Sequence, residues 1–74
     1  MKLALFMIMC SALYNKCLPP IDTGQLYDTH YDCMVAGYNK TLKTTEEIGS
    51  EDVNLHKTYI KFYCREIPNM EKNT

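Results

Sequence analysis

Cys10, Cys17, Cys33 and Cys64 are the residues of this chain best suited to chemistry. Paired, they would form two structural crosslinks. Reduced, they would pack as small apolar side chains, hold a zinc ion or cycle as redox thiols. Six, fifteen and thirty residues separate successive cysteines, so no CxxC pair is present. That spacing counts against a zinc site and against dithiol redox catalysis and leaves two disulfides as the leading reading, with packed free thiols next. A helix N-terminus at Cys33 would lower its thiol pKa, but the carboxylate of Asp32 beside it works the other way.

The remaining constellations are weaker. His30 and His56 are the only histidines, and neither has a third group placed to orient it as a base for Cys33, so exposed polar roles are expected for both. Glu46, Glu47, Glu51 and Asp52 surround Gly49, an arrangement read as solvated helix ends rather than a cation site. Tyr59, Lys61, Tyr63 and Arg65 alternate along a β-rich run, which makes them a candidate contact face. Aromatic and basic side chains at this spacing also serve single-stranded nucleic acid, but no RNA-binding signature accompanies them. No glycine-rich phosphate loop occurs, and no catalytic residue, cofactor or metal is assigned.

Composition sets the frame for these residues. The chain has 74 residues, 46% of them hydrophobic, and a formal net charge of -1. A domain this small buries only about 60% of the surface its unfolded chain exposes, so crosslinks or a partner subunit are expected to support it. The near-neutral charge supplies no general field for nucleic acid or an anionic membrane.

Residues 2–10 are apolar on both alternating faces, with Leu3, Leu5, Met7 and Met9 on one and Ala4, Phe6, Ile8 and Cys10 on the other. This pattern predicts a strand covered from both sides. It also resembles a secretory signal, but only Lys2 precedes the apolar run, and cleavage after Cys10-Ser11-Ala12 would leave three cysteines. The run is too short to cross a bilayer, which takes about 20 apolar residues. Residues 11–27 contain Asn15, Pro19, Pro20, Asp22 and Gly24 and read as a loop over the core, with room for a short strand near Gln25 to Tyr27.

Helical periodicity then runs from Asp28 to Ile48, with Tyr31, Val35, Tyr38, Leu42 and Thr45 on one face. Asp28 or Thr29 can cap its start, Gly49 suits its end, and Gly37 marks close approach to the strand. Ser50 caps a second, shorter helix that reaches about His56. Thr58 to Arg65 is a strand with Ile60, Phe62 and Cys64 on one face and Tyr59, Lys61, Tyr63 and Arg65 on the other. Residues 1–67 are expected to form a single compact domain and residues 68–74 a flexible polar tail.

The order strand, helix, short helix, strand predicts an α/β fold in which two parallel strands carry one long helix, through a right-handed crossover. Parallel strands would bring Cys64 to the rim that holds Cys10, Cys17 and Cys33. The expected bridges are therefore Cys10 with Cys64 and Cys17 with Cys33. One helix covers one face of such a sheet. The other face requires the 11–27 segment, a second copy or another protein to cover it.

The segments MKLALFMIMCS, KCLPP, YDCMVAGY, EDVN and YIKFYC together resemble a group of small four-cysteine proteins of marine bacteriophages. The resemblance extends over residues 1 to about 65 and carries no known activity or functional residue. It implies a viral reading frame starting at Met1 and a location in the virion or the host cytoplasm rather than secretion. The expected function is a non-enzymatic, disulfide-stabilised protein-binding or virion accessory module, with an unknown virion or host partner or with self-association. A thiol-redox or zinc-dependent protein using Cys10, Cys17, Cys33 and Cys64 is the alternative, and local single-stranded nucleic-acid binding on the last strand is third. No membrane partner is expected.

Overall fold

The computed structural model describes residues 1–68 and shows a small α+β domain built on an antiparallel sheet. The elements are β1 (Lys2–Ser11), β2 (Lys16–Cys17), β3 (Ile21–Tyr27), α1 (His30–Ile48), α2 (Ser50–His56) and β4 (Thr58–Ile67). The expectation of a polar tail over residues 68–74 falls, from residue 69 onward, outside the described residues.

β1 is the centre of the sheet, and every other strand pairs with it. The apolar run of residues 2–10 thus forms the strand it predicts, with both edges hydrogen-bonded. The chain turns back at Ala12 to Asn15, where Asn15 adopts the left-handed conformation that asparagine tolerates well (φ 57°). β2 and β3 then return along one edge of β1, in registers Cys10↔Cys17 and Leu3↔Tyr27. Pro19 and Pro20 lie between these two short strands, at a sheet edge where proline removes no central ladder bond.

The β1–β3 ladder is irregular between Ala4 and Phe6: Ala4 pairs with Leu26, but Phe6 pairs with Asp22. Thr23, Gly24 and Gln25 therefore lie opposite Leu5 alone. Gly24 supplies a positive φ of 80°, and side chains bond the displaced backbone. The Thr23 hydroxyl donates to the Leu5 carbonyl at 3.0 Å, and the Gly24 N–H donates to the Asp22 carboxylate at 2.9 Å. The segment expected to be a loop is thus a return strand with a proline break and a bulge. Only its final residues, Gln25 to Tyr27, were anticipated as strand.

That return strand corrects the topology. It leaves the chain beside Leu3, at the start of β1, rather than at its end. α1 begins there and, with 19 residues, advances about 28 Å toward the opposite end of the sheet. β4 therefore enters opposite Ser11 and runs back, antiparallel to β1, through ten consecutive pairs from Ser11↔Thr58 to Lys2↔Ile67. The expected parallel pairing of the first and last strands through a direct right-handed crossover is overturned. The parallel relationship is instead between β3 and β4, which flank the antiparallel β1.

The helix boundaries follow the local signals. Thr29 caps α1, its hydroxyl accepting from the Asp32 N–H at 3.0 Å, and Gly49 closes it with φ 95°. Gly49 also occupies the N-cap of α2, so Ser50 is the first helical residue rather than the cap. Lys57 ends α2 in the left-handed conformation. Its carbonyl accepts from the Ala12 N–H at 2.9 Å, and the Ser11 hydroxyl donates to the His56 carbonyl at 2.6 Å. These bonds tie the hairpin turn to the entry of β4.

The core is thin. Leu3, Leu5 and Cys33 form its buried centre, packed against Tyr27, Ala36, Phe62 and Cys64. α1 lays Cys33 and Gly37 on the sheet, and a methyl at Gly37 would overlap the ring of Phe62, as close helix–strand approach requires. The stripe that betrays the helical period is not its buried face: Tyr31, Val35, Tyr38 and Leu42 are exposed.

Candidate contact surface

The cysteines are all bonded, but not in the expected pairs. Cys10 bridges Cys17 and Cys33 bridges Cys64, with Cα separations of 4.0 and 6.3 Å. The first bridge spans directly opposed residues of neighbouring strands. The Leu18 N–H donates to the Met9 carbonyl at 2.8 Å, which makes the adjacent Cys10–Cys17 position a non-hydrogen-bonded pair, where Cα atoms approach most closely. The second bridge fastens the first turn of α1 to β4. The Cys10–Cys64 and Cys17–Cys33 pairings fail because β4 runs in reverse: Cys64 sits opposite Leu5, whereas Cys10 sits opposite Tyr59. Five register steps correspond to roughly 17 Å along a strand.

This distribution bears on the zinc and redox readings. Cys64 shares the face of Leu5 and α1, whereas Cys10 has the opposite parity in β1 and belongs to the other face. The four sulfurs form two separate pairs and assemble no four-cysteine site. Cys33 is fully buried and bonded to Cys64, and among the described residues no group of three histidine, cysteine or acidic side chains is placed to hold a metal. His30 is exposed at the start of α1. His56 ends α2 with its ring tilted toward Tyr14 at a centroid distance of 6.3 Å. Glu46, Glu47, Glu51 and Asp52 are exposed around the junction of the two helices.

Tyr59, Lys61, Tyr63 and Arg65 do share one face of β4, the face turned away from α1. Strand parity is independent of strand direction, so this reading survives the reversal. Register completes the surface: Arg65 lies opposite Ala4, Tyr63 opposite Phe6, Lys61 opposite Ile8 and Tyr59 opposite Cys10. On the other side of β1, Leu26 lies opposite Ala4 and Asp22 opposite Phe6. Phe6 and Tyr63 stack with centroids 5.1 Å apart and planes 8° from parallel. Leu26 is 58% exposed, Tyr59 45% and Tyr63 38%.

The segment expected as a candidate cover for this face lies in the plane of the sheet instead, as β2 and β3. The two-sided apolarity of residues 2–10 already signalled that Phe6 and Ile8 need a cover. Leu26 falls within Gln25 to Tyr27, the stretch expected as a short strand, but three residues beside Gly24 are too few to assign it a face. At the hairpin end, Met9, Cys10, Ser11, Tyr14, Cys17 and His56 help line an open cavity of about 560 Å³. The exposed Tyr14 and Leu18 at that end were not distinguishable from ordinary loop residues in the sequence.

Fold and surface together define a small two-disulfide α+β domain with one helix-covered and one open sheet face. No protein-family model matches the chain, and neither the curated proteins nor the solved structures contain a significant match to it. Among the described residues no helix is long and apolar enough to cross a membrane.

Proposed function

We propose that this protein is a non-enzymatic contact module whose open sheet face receives a protein partner. The carrying observation is the stacked pair Phe6 and Tyr63 at the middle of that face, with Ile8, Tyr59 and Leu26 around it and α1 on the opposite side. A flat apolar patch with aromatic residues and a charged border has the composition of a protein interface. Lys61 and Arg65 flank Tyr63 on the outer strand, and Asp22 lies across β1 in the row of Phe6 and Tyr63 rather than opposite either cation. That balance favours an apolar partner surface bordered by carboxylates.

The mutual stacking of Phe6 and Tyr63 covers one side of each ring, which leaves less aromatic surface for the successive base stacking that single strands require. The resemblance to bacteriophage proteins argues for a virion or host protein as the partner. The disulfides then have a structural role, one tying β1 to β2 at the hairpin and the other tying α1 to β4.

The test is a binding comparison using wild type and a variant with Lys61→Glu, Tyr63→Ala and Arg65→Glu, with Glu47→Gln as a control outside the face. Capture from infected host extract should yield a protein that binds wild type and the control and is lost with the triple variant. A salt-dependent shift of single-stranded DNA or RNA that disappears on replacing Lys61 and Arg65 would transfer the face to nucleic acid and refute the proposal.

A further inference from the structure

The two edges of the sheet differ. On one, Pro19, Pro20 and the bulge at Gly24 interrupt pairing. The other is β4, which runs through ten consecutive pairs with β1 and contains neither proline nor glycine. Every second residue of such an edge strand directs its N–H and C=O outward, a template for another strand. Tyr38, Thr41, Leu42 and Thr45 of α1 and Thr58, Tyr59 and Ile60 of β4 line an open groove of about 500 Å³. No β1 residue lines it, so the groove lies along the outer side of β4. Tyr38 is 63% and Leu42 60% exposed beside it.

We infer that β4 pairs antiparallel with β4 of a second copy of this chain, joining two sheets into one and closing the groove between the two α1 helices. The register and charges of β4 support a copy of itself as the occupant. Antiparallel pairing of identical strands about a two-fold axis is self-complementary, and opposed residues must share a face. An axis at Phe62 sets Lys61 opposite the second copy's Tyr63 and Tyr59 opposite its Arg65, cation–π partners on the open face. On the helix side it sets Ile60 opposite Cys64, Phe62 opposite Phe62 and Thr58 opposite Glu66.

Neighbouring registers are poorer. An axis at Tyr63 opposes Lys61 to Arg65, an axis at Lys61 or Arg65 opposes that cation to itself, and an axis at Cys64 sets Glu66 against Phe62. Only the Phe62 register overlaps nine residues of the strand, 58–66, without a like-charge pair or an acid against that ring. Because Tyr38 touches Phe62, with ring centroids 4.8 Å apart, this axis also draws the Tyr38 and Leu42 flanks of the two helices together. A stable interface buries about 800 Å² per partner, more than a strand edge alone supplies, and the helix flanks add to it. The inference concerns the edge of β4 and does not rest on the partner reading above, although its pairs on the open face engage Tyr59, Lys61, Tyr63 and Arg65; Leu42, on the helix side, tests the edge alone. If both hold, the dimer would present two copies of that face side by side.

Sedimentation and amide hydrogen exchange at rising protein concentration test this in the intact, oxidised chain. The expected result is a monomer–dimer equilibrium in which the alternate, outward amides of β4 gain protection together with dimer mass. Leu42→Glu, an exposed substitution, should weaken the dimer at least about tenfold while leaving the circular dichroism spectrum unchanged. Leu26→Lys, on the opposite edge strand, should leave the dimer intact. A monomer at all concentrations with freely exchanging outward β4 amides would overturn the inference. So would a dimer in which those amides stay unprotected, since it would form through another surface.

Discussion

Gly37 of α1 lies against the ring of Phe62 in β4 so closely that a methyl group on its α-carbon would overlap Cδ2, Cε2 and Cζ of that ring. Alanine would improve helix propensity by about 1 kcal/mol, but overpacking here costs roughly 1 to 3 kcal/mol. Gly37→Ala is therefore expected to be neutral to destabilising despite sitting mid-helix. Urea unfolding reads the difference, and adding Phe62→Leu, which replaces the ring, should recover part of any loss. A clear gain in stability for Gly37→Ala alone would contradict the packing.

The two disulfides are unequal in the loops they close, with sequence separations of 31 for Cys33–Cys64 and 7 for Cys10–Cys17. Loop entropy assigns about 4 kcal/mol to the longer and about 2 kcal/mol to the shorter. Replacing Cys33 and Cys64 together by alanine should lower the denaturant midpoint more than replacing Cys10 and Cys17. In partial reduction, Cys10–Cys17 should open first, because Cys17 is exposed whereas Cys33 is fully buried. Peptide mapping after brief reduction and alkylation reports the order.

Lys2 hydrogen-bonds Asp28 across the start of the sheet, and this bond, aided by the attraction of the lysine charge, holds the Asp28 carboxyl below its ordinary value of 3.8. A lowered folded-state pKa gives stability that is full above 3.8 and disappears as pH falls through the lower folded value. Both side chains are largely exposed, so the effect is small and screened by salt. Wild type and Asp28→Asn should differ slightly at pH 7 in dilute buffer, and the difference should vanish in strong acid and in about 1 M salt. Thermal midpoints across pH and salt provide the check.

Lys57 ends α2 in the left-handed region, with φ 53° and ψ 48°, where a side chain costs roughly 1 kcal/mol. Its backbone N–H and carbonyl already make the useful contacts, to Val53 and Ala12. Lys57→Gly should thus raise stability by several tenths of a kcal/mol, and Lys57→Val should lower it by more. Thermal unfolding of the two variants should move in opposite directions.

Much of this architecture was already legible locally. The two-faced apolar run of β1, the capping of α1 by Thr29 and Gly49, and the alternation of β4 each depend on residues a few positions apart, and each appears in the structure near its expected bounds. Gly37 as a point of close approach belongs to the same class. The outward set Tyr59, Lys61, Tyr63 and Arg65 was also readable, because a strand's period of two assigns faces whichever way the strand runs.

The sequence by itself therefore determined the principal elements, most of their ends, the faces of the last strand and a cysteine content suited to two bridges. Tertiary structure alone decided the direction of β4, the cysteine partners and which stripe of α1 is buried. Strand pairing joins residues far apart in the chain, and the decisive segment, Lys16 to Tyr27, carries Pro19, Pro20 and Gly24, whose local chemistry is that of a loop. Once that segment returns along β1, α1 must start at the other end of the sheet. Cys33 then meets Cys64, and Gly37 packs on the ring of Phe62 with Tyr38 at its edge, while Tyr31, Val35 and Leu42 of the same stripe stay exposed.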